Sequence, residues 1–159
     1  MEAILKRINE NRRATNTLRI LSIAISAICA VAFSFMIISS FYENKLCALK
    51  LLISAALPFI IVSASRFFID AKRPYEVYDF YEIAPKKKRG KSFPSRHVFS
   101  AFMISTLLFT VSPWFAILFY LISSALAVCR VLLGMHFIRD VIAGTVIGIL
   151  SGVIALMVL

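Results

Sequence analysis

Residues 18–41 read LRILSIAISAICAVAFSFMIISSF, a run whose single charge is Arg19. At ~1.5 Å per residue, a helix of this length outspans a ~30 Å hydrocarbon core. The run is too long for the apolar core of a secretory leader, and the polar segment before it is also too long. It is read as a retained first membrane span.

Comparable runs follow along the chain. A second span covers Cys47 to Ile69, where Pro58 is expected to kink the helix rather than end it. A third runs from about Ser95 to Val111, a fourth from Trp114 to Leu133 and a fifth from His136 to Leu159. The composition agrees: 60% of the 159 residues are hydrophobic and the mean hydropathy is +0.88, which leaves too little polar surface for a soluble domain. The reading is all-α, a single membrane-embedded domain over 1–159 with about five transmembrane helices. Ahead of them, residues 1–19 form a basic segment in which Ile4, Leu5 and Ile8 recur at helical spacing. That pattern suits a short interfacial helix, with a frayed tail as the alternative. Residues 70–95 form the one long polar loop, with the basic run 86–91 inside it.

The net charge is +10, from 18 Lys and Arg against 8 Asp and Glu. The cations flank apolar spans, so the expected partners are the bilayer and its anionic lipids, not nucleic acid. Cys29, Cys47 and Cys129 are odd in number and lie in or beside apolar runs, without the paired spacing of a disulfide framework or zinc site. The oligomeric state is not legible.

An ionisable group near the middle of a bilayer costs ~2.5–3.5 kcal/mol, so charges inside or at the ends of spans are informative. They are Arg66, Arg73, Arg96, His97, Arg130, His136, Arg139 and Asp140. Counting spans brings nearly all of them to one face of the membrane. Arg66 and Arg73 are two helical turns apart and share a face if the second helix continues to Pro74. Ser95 precedes an apolar run as an N-cap candidate, and a helix N-terminus is a ready anion site. His136 and Asp140 stand at i and i+4 on the fifth helix. Asp140 can then accept the Nδ1–H of His136 and leave Nε2 as a nucleophile. Each cluster alone also has a plain structural explanation: a snorkelling pair, a cap, a packed His–Asp pair. Together they supply what phosphoryl transfer needs, which is positioning, positive charge, a nucleophile and an acid. With two histidines and few carboxylates nearby, the chemistry reads as metal-independent and without a cofactor.

Three clusters carry a family resemblance. Arg66, six residues, Arg73, Pro74 is similar to K-x6-R-P; Pro94, Ser95, Arg96, His97 to P-S-G-H; and Cys129, Arg130, five residues, His136, three residues, Asp140 to S-R-x5-H-x3-D. Order and spacing match the type 2 phosphatidic acid phosphatase superfamily, which shares its site with bacterial acid phosphatases and vanadium haloperoxidases. The resemblance implies that His136 forms a phosphohistidine, Asp140 orients it and His97 is the general acid. It further implies that Arg66, Arg73, Ser95 and Arg130 bind the phosphoryl group, with the backbone near Arg96 helping. Three positions depart from the pattern. Arg66 replaces lysine, and Arg96 replaces glycine, adding a side chain able to meet a phosphate or diphosphate. Cys129 replaces serine and loses a hydroxyl donor.

The expected activity is hydrolysis of a lipid-linked phosphate or diphosphate. Alternatives are a phosphotransferase using an alcohol acceptor and a non-enzymatic binder of anionic lipid. Candidate substrates are polyprenyl diphosphate, phosphatidate, phosphatidylglycerophosphate and a lipid A phosphate. Phe67, Phe68, Tyr75, Tyr78, Tyr81 and Phe93 flank the site, as an interfacial aromatic belt or as walls for a lipid chain. The chain reads as a multi-pass protein of the cytoplasmic membrane. Charge asymmetry between loops points the site to the cytoplasmic face, whereas the resemblance, to a family usually of six spans, implies the outer face.

Overall fold

The computed structural model of the chain describes residues 2–78 and 89–159, with backbone alone at Ala3, Ile4 and Asn9. Lys86, Lys87, Lys88 and Tyr81, singled out above, lie outside the described residues, as does the side chain of Ile4. The described residues form seven α-helices: α1 (Glu2–Glu10), α2 (Arg12–Glu43), α3 (Lys45–Ile69), α4 (Pro74–Val77), α5 (Arg96–Leu107), α6 (Pro113–Leu132) and α7 (Ile138–Val158). A 3-10 turn, Leu108–Thr110, extends α5.

Among the described residues, α2, α3, α6 and α7 are long and apolar enough to cross a membrane. Their outer faces carry exposed Val31, Phe35, Ile60, Leu121 and Ile154, where lipid replaces water as the solvent. The remaining expected span, the third, is α5, which is shorter and enclosed: Val98, Phe99, Ala101 and Leu107 are at most 1% exposed. It packs against α2, α3, α6 and α7. The protein is an integral membrane helix bundle, with α5 as its core.

The approach of α5 to α7 depends on a stripe of small residues. A Cβ at Gly144 would stand 2.7 Å from the Ser95 carbonyl oxygen, one at Gly148 2.5 Å from that of Phe99, and one at Gly152 2.5 Å from Thr106 Cβ. Each distance is shorter than any real Cβ contact, so only glycine lets the two backbones meet. Across α5, hydroxyl pairs fasten α6: Ser105 to Ser123 at 3.0 Å and Thr106 to Tyr120 at 2.7 Å. These bonds satisfy polar groups that lipid could not.

The ends of the elements differ from the sequence expectation in three places. The helix of the first span, α2, begins at Arg12, not Leu18, because Asn11 caps it: its Oδ1 accepts the N–H groups of Arg13 (3.1 Å) and Ala14 (3.2 Å). The segment before it is helical, and buried Leu5 docks α1 onto the bundle near α2 and α6. Helix α3 passes through Pro58 but ends at Ile69, where Asp70 turns into the left-handed region at φ 40°. Pro74 therefore opens α4 and does not close α3. Finally, α7 starts at Ile138, so His136 precedes the helix on which it was expected.

Candidate active site

At the end of the bundle that holds the start of α2, a cavity of about 670 Å³ opens between the helices. Arg66 of α3, Arg73 of the following turn, Arg96 and His97 of α5, Arg130 of α6 and His136 of the α6–α7 connection line it. Ser95 and Asp140, also singled out in the sequence, are fully buried and absent from its wall. Arg139, the remaining charge of that cluster, has its side chain 71% exposed and lies 3.6 Å from Asp140 Oδ1, outside the cavity.

The floor of the cavity is built on the segment 89–95. Arg66 donates through Nη1 to the Pro94 carbonyl at 2.6 Å and through Nη2 to the Lys91 carbonyl. Arg73 Nε donates to the Gly90 carbonyl at 2.9 Å. Glu76 accepts the Gly90 N–H at 2.7 Å, and the Ser92 N–H reaches the Ala71 carbonyl at 2.8 Å. Gly90 has φ +64°, a left-handed conformation that favours glycine. The two guanidiniums thus hold the loop with some of their five N–H donors each, and their charge faces the cavity. Although α3 stops short of Arg73, both side chains still reach one cavity, because the chain folds back under it.

Ser95 occupies the N-cap position of α5, but its side chain makes no capping bond. Its N–H instead donates to the Asp140 carbonyl at 3.0 Å, tying α5 to α7 beside Gly144. Its Oγ is buried and without a hydrogen-bond partner among the described residues, as is Arg130 Nε. Unsatisfied buried polar atoms are uncommon and costly, and here two of them belong to the candidate phosphate-binding group.

The His136–Asp140 pair differs from the helical arrangement expected. With His136 outside α7, its Nδ1 stands 3.8 Å from Asp140 Oδ2, beyond a direct hydrogen bond. Ser92, 0% exposed, fills the gap: its Oγ lies 3.3 Å from His136 Nδ1 and donates a short hydrogen bond to Asp140 Oδ2. Because the serine proton goes to the carboxylate, the serine oxygen is left to accept from Nδ1–H. That selects the tautomer with an unprotonated Nε2. Asp140 also accepts the Phe137 N–H at 3.0 Å, half of a capping box that fixes the start of α7 next to the imidazole. Burial pushes the His136 imidazole below its ordinary pKa; Arg73 and Arg66 push the same way, and Asp140 opposes them.

Sequence reasoning missed Ser92 and Arg19. Nothing in the sequence distinguished Ser92 from any loop serine. Arg19 did carry a signal, a charge inside the first apolar run, but it was grouped with the basic leader. It lines the cavity from α2 together with Ser22.

A family model described as the PAP2 superfamily matches residues 47–159, which include every residue of the cavity except those of α2. A lipid A 1-phosphatase of Porphyromonas gingivalis is 32% identical over 79 residues; the match covers 47% of this chain and 18% of that relative's length. Two solved structures share the fold. LpxE of Aquifex aeolicus superposes with a TM-score of 0.68 at 21% identity, covering 98% of this chain and 93% of that one. The PAP2-type phosphatidylglycerolphosphate phosphatase of Bacillus subtilis gives 0.73 at 21% identity, covering 98% and 82%.

Proposed function

The chain belongs to the PAP2 superfamily, and on that premise we propose that it hydrolyses a lipid-linked phosphate or diphosphate through a phosphohistidine at His136. The observation that carries the reading is the make-up of the cavity wall. Guanidiniums and imidazoles from α3, α5, α6 and the two connections meet there, and no carboxylate lines it among the described residues. Such a wall attracts a phosphate and offers a divalent cation none of the hard anionic ligands it prefers, which supports a metal-independent mechanism.

In this mechanism Nε2 of neutral His136 attacks phosphorus and the bond to the leaving oxygen breaks. Arg66, Arg73 and Arg130 neutralise the oxygens that spread in the transition state, with the Ser95 hydroxyl and the start of α5 assisting. His97, exposed on the cavity wall, gives its proton to the leaving oxygen. It then takes a proton from the water that cleaves the phosphohistidine. Asp140 acts through Ser92 to hold Nδ1–H in place.

The deciding experiment is phosphate release from polyprenyl diphosphate, phosphatidate, phosphatidylglycerophosphate and a lipid A phosphate in detergent with EDTA. The wild type is expected to release phosphate from at least one of these and His136→Ala from none. Equal release by the variant, or release abolished by the chelator, would refute the mechanism. Adding acceptor alcohols and finding new phosphate esters would convert the reading to a phosphotransferase.

We further propose the cytoplasmic face of the cytoplasmic membrane for the cavity. Lys6, Arg7, Arg12 and Arg13 of α1 and α2 lie at the same end of the bundle as Arg89 and Lys91, while the opposite end holds Glu43, Lys45 and Lys50.

A further inference from the structure

The cavity holds more positive charge than one phosphoryl group needs, and the charge is arranged in two tiers. Arg66, Arg73 and Arg130 form the inner tier and are 6–7% exposed. Arg19 and Arg96 belong to a more open tier. Neither has a carboxylate partner among the described residues. Their charge is therefore available to an anion that enters the cavity.

Their position is specific. Arg96 leaves the first turn of α5 and reaches towards α3, where Nη1 is 3.4 Å from Ser63 Oγ and the guanidinium lies 5.8 Å from the centre of the Phe59 ring. Ser63 and Phe59 precede Arg66 by one and two turns, so Arg96 points ~5–10 Å deeper into the membrane than the inner tier. Arg19 and Ser22 face the same space from α2. Immediately below, two apolar cavities of about 230 and 280 Å³ continue between α2, α3 and α5, sharing Ala30, Phe59, Ser100 and Ile104. Arg96 and His97 line both the polar cavity and the first of these. The open tier therefore stands where a headgroup would join its hydrocarbon chain.

We propose that Arg19 and Arg96 form a second anion subsite, on the chain side of the phosphoryl cradle, which selects lipid diphosphates over lipid monophosphates. The proposal rests on the phosphatase reading and narrows its substrate. With a diphosphate bound, the terminal phosphorus sits at His136 and the chain-proximal phosphate lies between Arg19 and Arg96. As the Nε2–P bond forms, the bond from that phosphorus to the bridging oxygen breaks. Its electron pair leaves on the lipid monophosphate, whose oxygen takes the His97 proton while the two guanidiniums hold its phosphate; His97 is then free to accept a proton from water. Water then adds to the phosphohistidine, releasing inorganic phosphate and restoring the neutral imidazole.

Binding by the His136→Ala protein in detergent tests the subsite without turnover, with farnesyl diphosphate, farnesyl monophosphate and inorganic pyrophosphate as probes. Farnesyl diphosphate is expected to bind roughly tenfold to a hundredfold tighter than the monophosphate, the worth of about one charge-assisted hydrogen bond. Adding Arg19→Gln or Arg96→Gln should reduce that ratio to within about threefold, and Arg19→Lys should retain most of it. A ratio near one before substitution, or one kept by both glutamine variants, would overturn the subsite. So would pyrophosphate binding as tightly as farnesyl diphosphate, which would make the ligand a free anion. Arg19 is exposed, so its variant decides the matter if Arg96→Gln does not yield monodisperse protein. If the ratio behaves as expected while the wild type releases no phosphate from any lipid, the phosphatase reading fails and the anion subsite stands.

Discussion

At the scale of single residues, the account turns on how one imidazole is held. His136 is buried among guanidiniums, and burial lowers its pKa. The unprotonated Nε2 is therefore expected to persist below the ordinary histidine pKa of about 6.5. Labelled histidine in a His97→Asn background leaves His136 as the sole signal, and its NMR titration midpoint should fall below that value. A midpoint at or above it would remove the electrostatic argument. Ser92 is a positioning residue, because it touches the imidazole and the carboxylate but not the cavity. Ser92→Ala is expected to lower kcat roughly tenfold to a hundredfold with KM nearly unchanged, the effect of a misaimed nucleophile. A matching rise in KM, or no effect on kcat, would assign Ser92 to packing alone. The two sides of this pair were unequally legible. Spacing in the sequence brought His136 and Asp140 together, but it assumed a helix that begins two residues later than needed. The serine between them comes from a loop distant in sequence, and no local pattern announces such a contact.

The glycine stripe of α7 carries the argument at the scale of elements. It brings the start of α5 against Asp140 and thereby sets Arg96 and His97 at the cavity, with Ser95 buried behind them. A single methyl at Gly148 meets the Phe99 backbone, which cannot swing aside as a side chain could. Gly148→Ala is expected to cost about 1–3 kcal/mol, in the range of overpacked cores. The same substitution should lower activity by tilting α5, even though residue 148 lies far from the cavity. Thermal unfolding in detergent together with the phosphatase assay checks both; an unchanged melting point would show that the helices have room to separate. The order of the long helices was legible from apolar runs because lipid leaves the backbone few alternatives, whereas the four-residue α4 has no apolar run to announce it. Their ends were less so. Asn11, Asp70 and Phe137 set three boundaries by capping and turn geometry, which hydropathy does not register.

At the scale of the whole molecule, the ends of α2, α3, α5 and α6 and the connection that leads into α7 contribute to one cavity on one side of the membrane. If that side is cytoplasmic, a cysteine at position 77, beside the cavity face, should resist an impermeant thiol reagent in intact cells. A cysteine at position 43, at the far end of the bundle, should react in the same Cys47→Ser background. The reverse labelling pattern would place the cavity outside. Folding is what unites arginines separated by dozens of residues, and motif order in the sequence anticipated that union without giving its geometry. Arg19 belongs to it as well, although it lies before the matched family region. The central claim is that this assembly passes a phosphoryl group through His136. The most direct measurement is to mix the protein with a lipid substrate labelled in its terminal phosphate, quench in alkali and map the label. The account predicts alkali-stable, acid-labile phosphate on the peptide containing His136 and none in His136→Ala. Full turnover with label on another residue, or undiminished turnover by His136→Ala, would contradict it.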